Sequence, residues 1–169
     1  DLQNGWVASS SGTILKTQDG GSSWARQTNS TSNSFQKIHF TSLLNGYAIS
    51  LSRLLVTEDG GQTWNNFTGI PFGQIRDFVI ENDSFYILYS DKILYRVSNG
   101  NEWNTIPLPN AREYRAFDVI DSENGHIVGD RGLMMKSQGN LYNWVSYTKG
   151  ILQRINRVQF INSNSAFNQ

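Results

Sequence analysis

The side chains that could do chemistry in this 169-residue sequence are mainly arginines, lysines and carboxylates. Fourteen basic residues balance fourteen acidic ones, so the chain has no net charge that would favour nucleic acid or an anionic membrane. The absence of cysteine excludes thiol chemistry and disulfides. The two histidines, His39 and His126, are far apart in the sequence, which excludes a local histidine metal motif. We therefore expect no catalytic residues, no cofactor and no metal site.

Arginines are the best candidates for binding chemistry, because a guanidinium group presents paired donors to carboxylates and phosphates. Whether the arginines cluster depends on the strands and loops that carry them. The spacing of the tryptophans indicates where those strands and loops lie. Trp24, Trp64, Trp103 and Trp144 are spaced 40, 39 and 41 residues apart. This spacing indicates an internal repeat of about 40 residues.

Each repeat is predicted to contain four short strands, A to D, of which D carries the tryptophan. Strand A is predicted at 35–40, 75–80, 114–120 and 155–161, strand B at 5–9, 46–50, 84–89 and 125–129, and strand C at 13–17, 53–57, 92–97 and 133–137. Three of the B strands open on Asn-Gly, the strongest short hairpin signal. No stretch has the apolar spacing of a helix, and 28–34 and 106–110 are predicted loops.

Four strands in about 40 residues match one blade of a β-propeller. The sequence predicts an all-β propeller of four-stranded antiparallel blades, about four of them, as a single domain over 1–169. The predicted blades are 1–28 together with 154–169, 35–68, 74–107 and 114–148. The sequence leaves two arrangements open. Either the last strand A completes the first blade and closes a four-bladed ring, or the chain is part of a larger propeller.

A second pattern lies just before the first two tryptophans. Residues 17–24 (Thr-Gln-Asp-Gly-Gly-Ser-Ser-Trp) and 57–64 (Thr-Glu-Asp-Gly-Gly-Gln-Thr-Trp) resemble the Asp-box, or BNR, repeat. Residues 96–103 and 137–144 keep the tryptophan and lose the aspartate. The longer string over 5–24 is most similar to the photosystem II assembly and stability factor-like propellers. The same box occurs in sialidases, xyloglucan-cleaving hydrolases and sortilin-type receptors, so the resemblance implies a fold and no particular activity.

The box is predicted to be a structural C–D hairpin. Its aspartates should accept hydrogen bonds from the amides of their own turn, and its glycines should supply positive φ. Each of the first two tryptophans is expected to bury on the order of 200 Å² between neighbouring blades. The predicted structural residues are Asp19, Gly20, Gly21, Trp24, Asp59, Gly60, Gly61 and Trp64, with Trp103 and Trp144 from the two degenerate copies.

The loops at the two ends of the blades differ in charge. The A–B and C–D loops hold eight acids and no lysine or arginine: Asp19, Glu58, Asp59, Glu81, Asp83, Glu102, Asp121 and Glu123. The B–C and D–A loops hold three acids (Asp91, Glu113 and Asp130) and seven basic residues: Arg53, Lys92, Arg112, Arg115, Arg131, Lys149 and Arg154. Phe72 and Tyr114 lie in these loops and are expected to add apolar contacts. This basic end suits an acidic peptide, a carboxylate-bearing glycan or a phosphate.

The sequence therefore favours a non-catalytic binding propeller whose basic end engages a protein or another anionic partner. The resemblance implies the same, because the photosystem-factor-like family holds a client protein on an arginine-bearing face. The first alternative is a glycoside hydrolase of sialidase type, in which Arg53, Arg131 and Arg154 imitate the carboxylate-binding cluster and Asp91 or Asp130 is the acid. The sialidase signature near the first arginine is missing, and Glu113 is the one glutamate at the basic end. The second alternative is a structural module of a larger secreted or surface protein.

The remaining expectations concern packing, location and assembly. His39 and Asp118 fall at comparable places in strand A, and Tyr86, Tyr89 and Tyr95 group in the third blade, all with predicted packing roles. No nucleic-acid binding or membrane insertion is expected, since every apolar run is far shorter than the roughly 18 residues of a membrane helix. No signal peptide is expected from the pattern of these residues, and the repeat resemblance implies a secreted, periplasmic or lumenal location. A homodimer is expected if the ring is incomplete.

Overall fold

The structure is a computed structural model that describes residues 3–27, 34–50, 53–97, 100–109, 114–147 and 153–160. Within these ranges the chain forms fifteen short strands in four antiparallel sheets, and one turn of 3-10 helix. This is the all-β, blade-by-blade architecture that the sequence predicts. No helix in the described ranges is long and apolar enough to cross a membrane. Residues 1–75 and 76–169 form two compact units.

The first unit contains blades one and two. Blade one consists of β1 (Gly5–Ala8), β2 (Ile14–Thr17) and β3 (Ala25–Gln27). Blade two consists of β4 (Phe35–Phe40), β5 (Gly46–Ser50), β6 (Arg53–Thr57) and β7 (Asn65–Asn66). In each sheet, strands that follow one another in the chain are hydrogen-bonded neighbours.

The second unit contains blades three and four. Blade three consists of β8 (Asp77–Glu81), β9 (Ser84–Leu88), β10 (Lys92–Arg96) and β11 (Asn104–Pro107). Blade four consists of β12 (Tyr114–Val119), β13 (Gly125–Gly129), β14 (Met134–Ser137) and β15 (Trp144–Ser146). The 3-10 turn, Asp130–Gly132, joins β13 to β14. The A, B and C strands of these blades match their predicted ranges to within two residues.

Two secondary-structure predictions are wrong. Ile106 and Pro107 lie in β11 and not in a loop, because Ile106 is buried and Pro107 pairs with Lys92 at the outer edge of the sheet, where a missing N–H is tolerated. Residues 153–160 are not a strand, because no described strand forms a ladder with them. Residue 161 and most of the predicted loop 28–34 lie outside the described ranges. The blade limits, and the completion of blade one by 154–169, stay predictions.

The core of the first unit lies between blades one and two. The indole of Trp6 stacks on the ring of Phe40 with 3.6 Å between centroids, and its Nε1 donates to the carbonyl of Gly60 at 3.0 Å. The Lys16 ammonium donates to the same carbonyl at 2.8 Å. Behind these contacts, the buried apolar cluster consists of Ile14, Phe35, Ala48, Leu55 and Trp64.

The core of the second unit runs through blades three and four. Its buried members include Tyr86, Leu88, Ile93, Ile106, Phe117, Ile127, Met135 and Trp144. β8 and β12 are also joined by the buried carboxylate of Asp77. It accepts hydrogen bonds from the amides of Phe78 at 2.8 Å and Phe117 at 3.2 Å. These bonds offset much of the cost of burying the carboxylate.

The hairpins at 17–24 and 57–64, called here the box hairpins, share one hydrogen-bond pattern. In the first, Asp19 accepts the amide of Ser23 at 2.8 Å and its hydroxyl at 2.6 Å. In the second, Asp59 accepts the amide of Thr63 at 2.9 Å and its hydroxyl at 2.6 Å. The glycine pairs after both aspartates have positive φ, between 69° and 94°. Each aspartate therefore ties the start of its hairpin to the residue before the tryptophan.

The prediction that both tryptophans pack between blades is wrong for Trp24. Trp64 is buried and meets the edge of Phe40 with 5.7 Å between centroids. Trp24 is 42% exposed, and its Nε1 donates to Gly21 of its own hairpin at 3.2 Å. The motif is the same in both copies, so the difference in burial between the two tryptophans comes from the neighbouring blade. Trp6 of blade one contacts the second hairpin, whereas no described residue of the first unit stacks a ring on the first.

Acid should weaken the protein through the two box hairpins. Hydrogen bonds from the side chain and amide of Ser23 and from Thr17 lower the pKa of Asp19 from 3.8 to about 2. Burial would raise the pKa of Asp59, but the bonds from Thr63 and Thr57 outweigh it and lower this pKa to about 2 as well. The folded state therefore binds fewer protons than the unfolded state between these values. We expect stability that is complete above about pH 4 and is lost toward about pH 2.

The measurement is the denaturation midpoint over that pH range. The control is Asp59→Asn, which keeps an acceptor oxygen but cannot titrate, and its midpoint should depend less on pH than that of the wild type. Equal pH dependence in the two proteins would contradict the assignment.

Candidate anion-binding site

The candidate site is built around an irregularity at the start of β12. Tyr114 pairs with Gly129 and Ala116 with Val128, so Arg115 is an extra residue in a β-bulge. A bulge re-aims the side chain that it carries. Tyr114 and Ala116 are both buried, whereas Arg115 is half-buried and reaches the turn that follows β13.

That turn supplies a carboxylate, Asp130, which holds two arginines. Arg115 binds it through Nε at 3.0 Å and Nη2 at 2.9 Å, one guanidinium edge facing both oxygens. Arg154 binds the Oδ1 atom through its Nε at 2.8 Å. The side chain of Asp130 is 14% exposed and that of Arg154 is 58% exposed. The carboxylate thus lies inside and Arg154 faces outward.

The third arginine, Arg131, is the next residue in the same turn. Its backbone is left-handed (φ 54°, ψ 37°), a conformation that costs a non-glycine residue on the order of 1–2 kcal/mol. The turn is fixed around it, because the Leu133 amide donates to the Asp130 carbonyl at 3.1 Å. The side chain of Arg131 is exposed and has no ion-pair partner among the described residues.

These four side chains carry three positive charges and one negative charge, a local excess of two. The Nε atom of Arg154 is bound to Asp130. The two terminal nitrogens of Arg154 have no partner among the described residues. These two terminal nitrogens form an edge of the guanidinium group that can make a bidentate contact with a carboxylate or phosphate. The group can therefore bind an anion, and we call Arg115, Asp130, Arg131 and Arg154 the arginine cluster.

Both oxygens of Asp130 are engaged by guanidinium groups. Within the described ranges, no group of three or more carboxylate or imidazole side chains is arranged to hold a metal ion.

The other residues of the predicted basic end are placed differently. Tyr114 is completely buried and donates its hydroxyl to the Pro109 carbonyl at 2.7 Å, so the prediction that it contacts a partner is wrong. Phe72 is 88% exposed, as an apolar contact residue would be. Arg53 donates to Asn66 at 3.3 Å, and the Lys92 ammonium lies 5.6 Å from the centroid of the Tyr89 ring. Arg53 and Phe72 belong to the first unit, and Arg112 and Lys149 lie outside the described residues.

Sequence reasoning missed the pairing role of Asp130, which it treated as an acid among the loop charges and as one candidate acid of a glycoside hydrolase. The signal was available: Asp130 directly follows strand B, and Arg115 lies on strand A near its pairing with that strand end. Opposite charges on adjacent strands commonly pair. The contact of His126 with Phe160 had a signal as well, because Phe160 lies in the strand A predicted at 155–161 at the position that Phe40 holds in the strand A predicted at 35–40.

The comparisons with known proteins agree with this fold. No protein-family model and no curated protein matches the chain by sequence. Among solved structures, "YCF48 bound to D1 peptide" matches with 22% identity and a TM-score of 0.70, covering 93% of this chain and 53% of that one. YCF48 from Cyanidioschyzon merolae matches with 17% identity and a TM-score of 0.70, covering 94% and 56%. The chain therefore spans about half the length of these two structures.

Enzymes share the fold as well. A GH74 enzyme from Niastella koreensis matches with 14% identity and a TM-score of 0.67, covering 86% of this chain and 28% of the enzyme. An ancestral GH74 enzyme matches with 15% identity and a TM-score of 0.66, covering 85% and 22%. The chain has a β-propeller fold of the YCF48-like kind.

Proposed function

We propose that this chain is a non-catalytic binding propeller that engages an acidic peptide segment of a protein partner through the arginine cluster. The observation that carries the proposal is the pairing of Asp130 with Arg115 and Arg154. It orients two guanidinium groups and leaves the terminal nitrogens of Arg154 without a described partner, while Arg131, the residue after Asp130, is exposed. Side chains oriented before binding lose less entropy when the ligand arrives.

A peptide suits the cluster better than a small phosphate, because its carboxylates can span separated arginines. Carboxylate and guanidinium groups match in planar geometry, and each charge-assisted hydrogen bond contributes about 1.5–3 kcal/mol. One structure that shares this fold is titled as a complex with a peptide, which supports the same class of ligand.

The test is a titration of the chain with a fluorescent peptide of six glutamates, at low and at physiological ionic strength. Arg131→Gly should weaken binding about 10-fold, the effect of losing one charge-assisted contact. Because Arg131 has a left-handed backbone, glycine at this position should leave the folded state equally stable or more stable. A loss of affinity in this variant cannot then be ascribed to unfolding.

The matched control is Arg26→Gly, which removes an exposed arginine from β3 in the other unit. It should bind the peptide as the wild type does. Equal loss in both variants would mean non-specific attraction, and no binding by the wild type would refute the proposed function.

A glycoside hydrolase of sialidase type is the second candidate, and its support is that enzymes, those of the GH74 kind, share this fold. Its test is the turnover of a fluorogenic sialoside. Turnover by the wild type that is abolished in Arg131→Ala would support the enzyme. No turnover by the wild type would leave the binding role preferred.

A structural module of a larger secreted or surface protein is the third candidate. It predicts that charge reversal at Arg112, Arg115 and Arg131 leaves all interactions unchanged. The secreted, periplasmic or lumenal location and a homodimer stay predictions. Light scattering on this chain would detect the dimer.

A further inference from the structure

Residues 153–160 run along blade four without forming a ladder. The amide of Gly132 donates to the Gln153 carbonyl at 2.8 Å, and the amide of Ile155 donates to the Gly129 carbonyl at 3.0 Å. The amide of Phe160 donates to a carboxylate oxygen of Asp118 at 2.6 Å. The segment is therefore fixed to blade four at both of its ends.

Two of its contacts repeat contacts between blades one and two. In the first unit, the Phe35 amide donates to the Ser9 carbonyl at 3.1 Å, and Phe40 stacks on Trp6 with 3.6 Å between centroids. In the second unit, Ile155 donates to Gly129, and Phe160 stacks on His126 with 3.7 Å between centroids and 19° between planes.

The spacings within these contacts are also the same in the two places. On the contacted blade, the residue with the stacked ring lies three positions before the residue with the acceptor carbonyl. These are residues 6 and 9 in the first unit and residues 126 and 129 in the second. The donor amide and the stacked ring are five residues apart on the segment that docks, at 35 and 40 and at 155 and 160. Residues 155–160 thus contact blade four as β4 contacts blade one. They take the position of strand A in a further blade.

The docked segment carries Arg154 at its start. The residue before it, Gln153, and the residue after it, Ile155, both make main-chain hydrogen bonds to the region 129–132. These bonds place the Arg154 side chain beside Asp130, with 2.8 Å between Nε and Oδ1. If the segment left blade four, Arg154 would leave the arginine cluster with it.

We propose that His126, Asp118 and Phe160 are positioning residues that hold residues 155–160 in the strand-A position and thereby keep Arg154 in the anion-binding site. This inference rests on the proposed function. His126 and Phe160 touch none of the three arginines in the described contacts, so they act on the ligand only through the segment. If the site is complete only when the segment is docked, the apparent affinity equals the intrinsic affinity multiplied by the fraction of docked molecules.

The test combines amide hydrogen exchange, measured by NMR, with titration of the hexaglutamate peptide. In Phe160→Ala and His126→Ala we expect faster exchange at Ile155 and an affinity about 2- to 10-fold lower, the range that loss of one aromatic stack allows. His126→Phe retains a ring for Phe160 to stack on and should restore both measurements. Arg154→Ala should lower the affinity, and adding Phe160→Ala to it should lower the affinity no further.

Arg157→Ala is the matched control, because it removes an exposed arginine from the same segment. It should leave exchange at Ile155 unchanged and reduce affinity less than Arg154→Ala does. Fast exchange with unchanged affinity in Phe160→Ala would overturn the positioning role and leave the proposed function intact. Independent, additive losses in the double variant would also overturn it. If the wild type does not bind the peptide, the proposed function fails and the positioning role fails with it, while slow exchange at Ile155 would still report the docked segment.

Discussion

Replacement of Trp64 by alanine is expected to lower the free energy of unfolding by about 3–5 kcal/mol, the range for large-to-small changes at a buried aromatic residue. Trp64 is 2% exposed and packs with Phe35, Leu55 and the edge of Phe40. Its removal would leave a cavity between blades one and two, because the surrounding strands are fixed by their ladders. The measurement is the change in the guanidinium denaturation midpoint, and Trp64→Phe, which retains an aromatic ring, should lose much less.

The matched control is the same substitution in the first box hairpin. Trp24 is preceded by the same motif, but its indole is 42% exposed. Trp24→Ala is therefore expected to cost about 1 kcal/mol or less, as for a surface position that makes few buried contacts. Equal losses at the two positions would mean that the first hairpin is covered in solution as the second one is.

The contrast between these tryptophans shows what a repeat motif can predict. The local structure follows from local chemistry: the aspartate accepts the hydrogen bonds of its turn, and the glycines allow positive φ, in both copies. Burial depends on the neighbouring blade. Trp6, which contacts the second hairpin, lies more than fifty residues away in sequence, and no feature of residues 57–64 predicts it. Most strand positions were therefore predictable, whereas the sequence could not distinguish the tryptophan that a neighbouring blade covers from the one that stays exposed.

The candidate site divides in the same way. The excess of arginine in the B–C and D–A loops was visible in the sequence, because turn signals alone locate those loops. The bulge at Arg115 and the left-handed backbone of Arg131 were not visible, since both arise from the fit of β12, β13 and the 3-10 turn. Tyr114 is buried at the start of β12 with its hydroxyl bonded to the Pro109 carbonyl, and this explains why the prediction for that aromatic residue was wrong.

The second large effect is expected at Asp130. In Asp130→Ala, Arg115 and Arg154 lose the carboxylate between them, and two like charges remain close together. Removing one partner of a buried ion pair costs about 3–5 kcal/mol, and the exposure of Arg154 reduces this to about 2–3 kcal/mol here. Asp91→Ala is the matched control, because Asp91 is an exposed carboxylate in the equivalent turn of blade three and should cost about 0.5 kcal/mol or less.

Added formate should restore part of the stability of Asp130→Ala, because a free carboxylate can take the place of the missing one between the two guanidinium groups. An anion that binds the folded state alone stabilises it by RT ln(1 + [L]/Kd), or about 1.4 kcal/mol at ten times its Kd. The measurement is the denaturation midpoint with sodium formate against sodium chloride at the same ionic strength. Rescue by formate alone, in Asp130→Ala alone, would show independently of any peptide that Arg115 and Arg154 hold a carboxylate between them. Equal stabilisation by the two salts would contradict this carboxylate bridge and reduce the role of Asp130 to charge screening.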